Sequence, residues 1–281
     1  MFGVAFLFVF KSQFFCAQNI IREKRGDILG AFLSVDNIHM IYQTPTEETV
    51  AVENVGFDVK KGEFVSIVGP SGCGKSTLLG CIAALQQPQR GSITLGGERI
   101  ENCRHSIGYM LQRDNLLPWR SVWRNVTIGL EIQKKLTEEN IEYVNSLLKK
   151  YDLWQFKDSF PNRLSGGMRQ RVALIRTLAL KPQLLLLDEA FSALDYQTRV
   201  NVSCDVWEIL RRENKTMVMV THDIPEAVAM SDRVVVLSKR PAVVAETVEI
   251  DFGTNRPNPI EVRSHPLFQQ YFNTIWKELV Q

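Results

Sequence analysis

From Phe32 onward the apolar positions come in short runs divided by turn residues. VENVGFDV (52–59) alternates apolar and polar side chains, the period of a strand with one buried face. KKGE turns the chain, and FVSIVG (64–69) follows as an apolar run too short for a helix. SIGYMLQ (106–112), LLLLD (184–188), MVMVTH (217–222) and RVVVLS (233–238) are similarly short. LLLLD is apolar on both faces, as strands are inside a parallel sheet. GSITLGG (91–97) reads as an edge hairpin strand. Helical spacing fills the intervals. KSTLLGCIAAL (75–85) forms one helix with Pro88 beyond its end, and 121–151 reads as helix throughout. In that stretch Ile141, Val144, Leu147, Leu148 and Tyr151 share a face, with Thr137 as N-cap and Glu138 and Glu139 in the first turn. Further helices are expected after LSGG (164–167) to about 180, where Pro182 stops the pattern, over 196–212, and from Pro225. This alternation predicts an α/β fold on a parallel sheet, with a helical insertion at about 113–165.

The pattern gives one large domain over residues 32–250 and a tail, 251–281, with one amphipathic helix at 265–280. Residues 1–31 show no periodic or turn logic and read as an extension outside the fold, such as an over-extended translation start would leave. The opening MFGVAFLFVF is ten apolar residues ended by Lys11. A membrane span needs ~20, and a signal peptide needs a basic start and a small-residue cleavage site.

Composition is that of a globular protein, 45% hydrophobic and 23% charged. The 33 basic and 31 acidic residues leave a net charge of +2, so no basic bias argues for nucleic acid. The five cysteines (Cys16, Cys73, Cys81, Cys103 and Cys204) form no CxxC pair and read as free thiols of a reduced compartment. Cys73 lies inside a glycine-rich loop, where a small residue that fits is the simpler reading and a redox role the other.

That loop carries the first chemistry. GPSGCGKST comprises Gly69, Pro70, Ser71, Gly72, Cys73, Gly74, Lys75, Ser76 and Thr77, between a short strand and a helix. Glycines let backbone N–H groups turn inward on phosphates without a Cβ clash. Lys75 supplies a mobile charge for the β- and γ-phosphates, and the Ser76 hydroxyl suits Mg²⁺. LLLLDEA then places Asp188 at the end of a buried strand, able to hold Mg²⁺ through water, and Glu189 next to it as a general base for an attacking water. For the pair alone, a helix-capping role is the other reading. LSGGMRQR (164–171) sets a hydroxyl and two glycines before a helical run, which is a second backbone anion site.

The ordered set of phosphate loop, Gln112 at a strand end, LSGGMRQR, LLLLDEA, SALD (192–195) and His222 in VTHD resembles the nucleotide-binding subunit of ATP-binding cassette (ABC) transporters. The resemblance spans about residues 32–238. It implies a P-loop NTPase (RecA-like) core with an antiparallel β edge and a helical subdomain, binding ATP and Mg²⁺ and hydrolysing ATP. Gln112 would be the Q-loop glutamine that touches Mg²⁺ and the membrane partner. Ser165, Gly166 and Gly167 would be the signature, Asp195 the D-loop aspartate and His222 the switch that contacts the γ-phosphate. Tyr42 falls where the family stacks adenine on an aromatic ring, with plain strand packing as the other reading. In this family two subunits meet head to tail, so the second cradle would serve the partner's nucleotide.

LLPW (116–119) and KRP (239–241) resemble the nitrate, sulfonate and taurine importer group, which also handles pyrimidine precursors. The expected partners are a second copy, transmembrane permease subunits on the cytoplasmic face of the membrane and, indirectly, a solute-binding protein. Trp119 and Trp123 read equally as permease contacts or as core of the helical subdomain. A soluble ABC ATPase uncoupled from transport is the alternative. Ribosomal ABC proteins carry two cassettes, DNA-repair members insert a long coiled coil, and small-molecule P-loop kinases lack LSGG and SALD.

Overall fold

The computed structural model describes residues 31–43, 48–253 and 256–280. The expected N-terminal extension and Cys16 therefore fall outside the described residues, apart from Ala31. The first strands are β1 (Ala31–Gln43), β2 (Glu48–Lys60) and β3 (Phe64–Val68), followed by α1 (Lys75–Ile82). Next come β4 (Arg90–Leu95), β5 (Glu98–Arg99), β6 (Ile107–Met110) and the helices α2 (Val122–Ile132), α3 (Glu138–Lys150) and α4 (Gly166–Leu178). The second half contains β7 (Leu184–Asp188), α5 (Tyr196–Arg212), β8 (Thr216–Val220), α6 (Ile224–Met230), β9 (Arg233–Leu237) and β10 (Val244–Glu249). It closes with α7 (Pro259–Val262) and α8 (Phe268–Val280).

One sheet is antiparallel, in the order β2-β1-β4-β5, and the other runs β10-β9-β3-β8-β7-β6. In the second sheet only the edge pair β10–β9 is antiparallel. The absence of alternation in LLLLD has a direct cause: Leu184 and Leu186 face the antiparallel sheet and α1, whereas Leu185 and Leu187 face the helical side. All four are fully buried. At about 1.5–3 kcal/mol per buried leucine, a polar residue in this strand would be strongly disfavoured.

Several boundaries differ from the sequence expectation. The helix expected over 75–85 ends at Ile82, because Ala84 turns to φ 54° and the N–H groups of Leu85 and Gln86 both return to the Gly80 carbonyl. The 121–151 helix is two helices. Lys134 at φ 54° breaks it, and Thr137 caps the second by accepting from Asn140 N–H at 3.3 Å. β4 is internal. The edge is β5, reached through Gly96 and Gly97 at φ 59° and 85°. The tail carries two helices rather than one. The short α7 starts where Asn258 Oδ1 accepts from the N–H groups of Ile260 and Glu261, with Pro259 at the first helical position. α8 begins at Phe268, not at 265. β10 was not expected at all.

Trp123 belongs to the core of the helical region, its indole N–H donating to Asn145 Oδ1 at 3.0 Å, while Trp119 is 71% exposed. Cys73 is buried and free, with Sγ only 2.9 Å from where a Cβ on Gly69 would stand, so a small side chain is required there.

α6 holds a buried acid. Glu226 is 4% exposed, and its Oε1 has no hydrogen-bond partner among the described residues. Burial, opposed by a Thr221 hydrogen bond and by Arg199 and Arg263, raises its pKa from 4.5 to about 7. A carboxyl whose pKa rises on folding contributes fully below the unfolded value, and its contribution is lost as pH climbs through the folded one. Glu226→Gln should therefore gain on the parent between pH 5 and pH 8, with a relative rise in Tm of about 5 °C. Thermal melts at the two pH values measure this, and an equal Tm difference at both would contradict the burial cause.

Candidate active site

The parallel strands end on one edge of the sheet, where open α/β folds place their ligands. β3 runs into Gly69–Thr77, β7 ends at Asp188, β8 leads to Thr221 and His222, and β6 leads to Gln112. The sequence-distant residues meet there because β7 lies between β8 and β6, with Asp188 opposite Val220 and Tyr109 opposite Leu186.

In the phosphate loop, Lys75 is 6% exposed and its Nζ donates to the carbonyls of Gly69 and Pro70, each at 2.8 Å. Gly74 has φ 128°, and a Cβ there would stand 2.7 Å from the Ala51 carbonyl oxygen. Glycine is thus required by conformation and by space. It also caps α1 with no side-chain acceptor, and the first turn of α1 holds no acidic residue. Among the described residues no side chain caps the N-terminal N–H groups, which suits them to an anion. Ser71 and Gly72 are exposed beside them.

Ser76 Oγ donates to Asp188 Oδ1 at 3.2 Å, and Tyr109 Oη donates to Asp188 Oδ2 at 3.0 Å. Burial, and next the charge of Asp188, raise the Tyr109 pKa, so the phenol stays a donor. Among the described residues no group of three or more His, Cys, Asp or Glu is arranged to hold a metal. One hydroxyl and one carboxylate form a donor set suited to Mg²⁺, which keeps waters and takes the rest of its ligands from substrate phosphates.

Glu189 follows at φ 45°, its N–H bonded to the Val220 carbonyl at 2.9 Å. Its Oε2 lies 3.2 Å from His222 Nδ1 and accepts from Gln112 Nε2 at 3.4 Å. Gln112 Nε2 also donates to Ser192 Oγ at 3.1 Å. Carboxylate, imidazole and amide from three strand ends thereby converge beside the Ser76–Asp188 pair. Tyr42 is 40% exposed, and its hydroxyl bonds with Thr77 Oγ1 at 3.1 Å and Gln86 Oε1 at 3.0 Å. The ring is thus fixed next to the loop with a face open.

Ser165, Gly166, Gly167 and Asp195 form a separate group. Ser165 Oγ caps α4 by accepting from Met168 N–H at 3.2 Å. A Cβ on Gly167 would stand 2.9 Å from Val202 of α5, and one on Gly166 would stand 3.2 Å from the Leu194 side chain. Asp195 caps α5 through Thr198 N–H at 3.1 Å, and the Thr198 bonds hold its exposed carboxyl below the usual range. Among the described residues no hydrogen bond joins this group to 69–77.

Three contributors were missed in the sequence. Tyr109 is legible only once β6 is paired with β7. Arg176 donates to the carbonyls of Asn115 (2.8 Å) and Asp114 (2.6 Å), and Arg169 Nε pairs with Asp114 Oδ2 at 3.0 Å. The two arginines pin the loop after Gln112 onto α4, though their spacing in LSGGMRQRVALIR looks like an ordinary solvated face.

Known proteins match this arrangement. The family model for ABC transporters matches residues 52–192. The chain is 46% identical to the uncharacterized ABC transporter ATP-binding protein YtlC of Bacillus subtilis over 89% of this chain and 96% of that protein. It is 36% identical to the aliphatic sulfonates import ATP-binding protein SsuB of Bacillus cereus over 89% of this chain and 94% of that protein. A dimeric ATP-binding cassette solved in a post-hydrolysis state with ADP and Pi superposes with a TM-score of 0.67 at 31% identity, over 79% of this chain and all of that one. Loop, strand-end acid pair and sheet order lead to the same place as these likenesses: the chain belongs to the ABC transporter family, as an ATP-binding and ATP-hydrolysing subunit.

Proposed function

We propose that this subunit powers an importer of a small solute of the nitrate, sulfonate, taurine or pyrimidine-precursor type. It would work as a head-to-tail pair docked on permease subunits at the cytoplasmic face of the membrane and fed by a solute-binding protein. The observation that carries the reading is the junction of Ser76–Asp188 with Glu189, His222 and Gln112 at one sheet edge. The likeness to the sulfonate subunit supports the solute class. Among the described residues no helix is long and apolar enough to cross a membrane.

In this reading the loop N–H groups and the N-terminus of α1 hold the phosphates, and Lys75 exchanges its two carbonyls for the β- and γ-phosphates. Ser76 and Asp188 would hold Mg²⁺, which would supply charge neutralisation there. Glu189 takes the proton of the attacking water, His222 holds Glu189 and the γ-phosphate together, and Gln112 reports the state of the site to the loop that follows it. Tyr42 stacks on adenine. The signature cradle, Ser165 to Gly167 with Asp195 behind it, closes the site of the partner copy.

Glu189→Gln keeps shape and loses the base, so turnover should fall about a hundredfold or more with ATP binding intact. The variant should run as an ATP-dependent dimer on size exclusion, and hydrolysis near the parent rate would remove Glu189 from the role. A mixed dimer tests the shared site. Lys75→Ala and Ser165→Arg should each be inactive alone, while their mixed dimer pairs intact Lys75 with intact Ser165 at one interface. Verified mixed dimers should trap nucleotide at that site, and their failure to do so counts against a cradle that acts across the interface. Exposed Trp119 follows Gln112 by seven positions. Trp119→Arg should weaken pull-down of the permease severalfold and leave the ATPase of the isolated subunit within about twofold, as interface aromatics behave; unchanged association would return Trp119 to a passive surface.

A further inference from the structure

The KRP stretch reads in the sequence as a mark of lineage, yet the turn that contains it lies against the phosphate loop. Arg240 Nη2 donates to the Gly72 carbonyl at 2.6 Å. A Cβ added at Gly69 would stand 3.2 Å from Leu237. Ala242 pairs with β2, its N–H on the Ala51 carbonyl at 3.1 Å and its own carbonyl accepting from Glu53 N–H at 2.9 Å. The Ala51 carbonyl is also the atom that crowds Gly74. Residues 237–242 therefore touch the loop directly at Gly69 and Gly72, and at Gly74 through β2. Ser238 Oγ ties the turn together, accepting from Val243 N–H at 3.0 Å and lying 2.8 Å from the Lys239 carbonyl oxygen.

A backbone cradle attracts phosphate only if its N–H groups face in and its carbonyls face out. Three carbonyls of this loop are taken by two cations. Those of Gly69 and Pro70 go to Lys75, and that of Gly72 goes to Arg240. The two cations differ in what ATP does to them. In the proposed reading Lys75 leaves its carbonyls for the phosphates. Arg240 comes from outside the loop, 168 positions along the chain from Gly72. Holding the Gly72 carbonyl outward fixes the plane of the next peptide, whose Cys73 N–H closes a turn on the Pro70 carbonyl at 3.3 Å. Gly72 itself sits at φ 73°, where such a peptide turns over readily.

We propose that Arg240 is a positioning residue for nucleotide binding, a brace that keeps the Gly72–Cys73 peptide oriented so that the following N–H groups receive the phosphates. The inference rests on the reading of residues 69–77 as the ATP site. Because the brace shapes the cradle rather than contacting the γ-phosphate, ATP and ADP depend on it equally. Because it is exposed, water competes for the same carbonyl and the effect is moderate.

The experiment is nucleotide titration and steady-state hydrolysis on the full chain as parent, Arg240→Ala and Arg240→Lys, each with a thermal melt. Arg240→Ala should raise Kd for both ATP and ADP by about fivefold to tenfold. Its kcat at saturating ATP should stay within about twofold of the parent and its Tm should not change, and Arg240→Lys should recover part of the affinity. Three results overturn the brace: unchanged Kd in Arg240→Ala, a loss confined to ATP, or a joint fall of affinity, kcat and Tm. A parent that binds no ATP would remove the underlying reading and the brace with it, a result distinct from parent and variant that bind alike.

Discussion

An ammonium group buried among carbonyls is a provisional arrangement, and the proposed nucleotide site is built around one. Lys75 is nearly inaccessible, and its bonds go to the Gly69 and Pro70 carbonyls of its own loop. Neutral carbonyls compensate a buried cation only in part. The loop is therefore a charge held ready for an anion, and the free N–H groups of α1 add to the same field. The remaining structure keeps that charge in place without satisfying it. β2 presses its Ala51 carbonyl on Gly74, Cys73 fills the space beneath Gly69, and Leu237 walls the other side.

The sheet order then decides which residues meet beside the Gly69–Thr77 loop. Parallel strands bring all their C-terminal ends to one edge, so each β-to-α connection delivers its first residues to the same volume. β7 lies between β6 and β8, which sets Tyr109 and Gln112 on one side of the Asp188–Glu189 pair and His222 on the other. Acid and histidine are far apart in the chain and 3.2 Å apart in space. Glu189 occupies the left-handed region of φ, which for a non-glycine residue costs on the order of 1 kcal/mol or more. The Val220 carbonyl holds it there through the Glu189 N–H. Local strain of this kind is consistent with a side chain aimed by its backbone rather than by its rotamer.

What could be read in the chain follows from where the information lies. LLLLD and RVVVLS announce themselves because burial on both faces leaves no polar position. The Gly69–Thr77 loop is local, so spacing alone identifies it. β10 is an edge strand whose VAETVE is exposed or half-exposed along most of its length, and α7 is four residues set by an asparagine cap, so neither has a period to find. The break at Lys134 lies in QKKL, where every residue favours helix, and the stop is a backbone turn in which Lys135 N–H returns to the Leu130 carbonyl past the left-handed Lys134. Tyr109 acquires a role only through strand register, and Arg240 only through a contact 168 positions away in sequence. Chemistry written in one loop is legible, and chemistry assembled by pairing is not.

Loop, acid pair, glutamine and histidine are linked by hydrogen bonds, whereas Ser165 to Gly167 and Asp195 are linked to each other through α4, α5 and Leu194. Asp114 ties the two groups indirectly. It lies two residues after Gln112, pairs with Arg169 of α4 and gives its carbonyl to Arg176. A shift of Gln112 on nucleotide binding would therefore pull on α4, whose N-terminus is the second cradle. In the proposed head-to-tail pair that cradle would close on the partner's nucleotide. Each chain would then pass the state of its own site to the other along α4, and neither site could complete its closure independently of its neighbour.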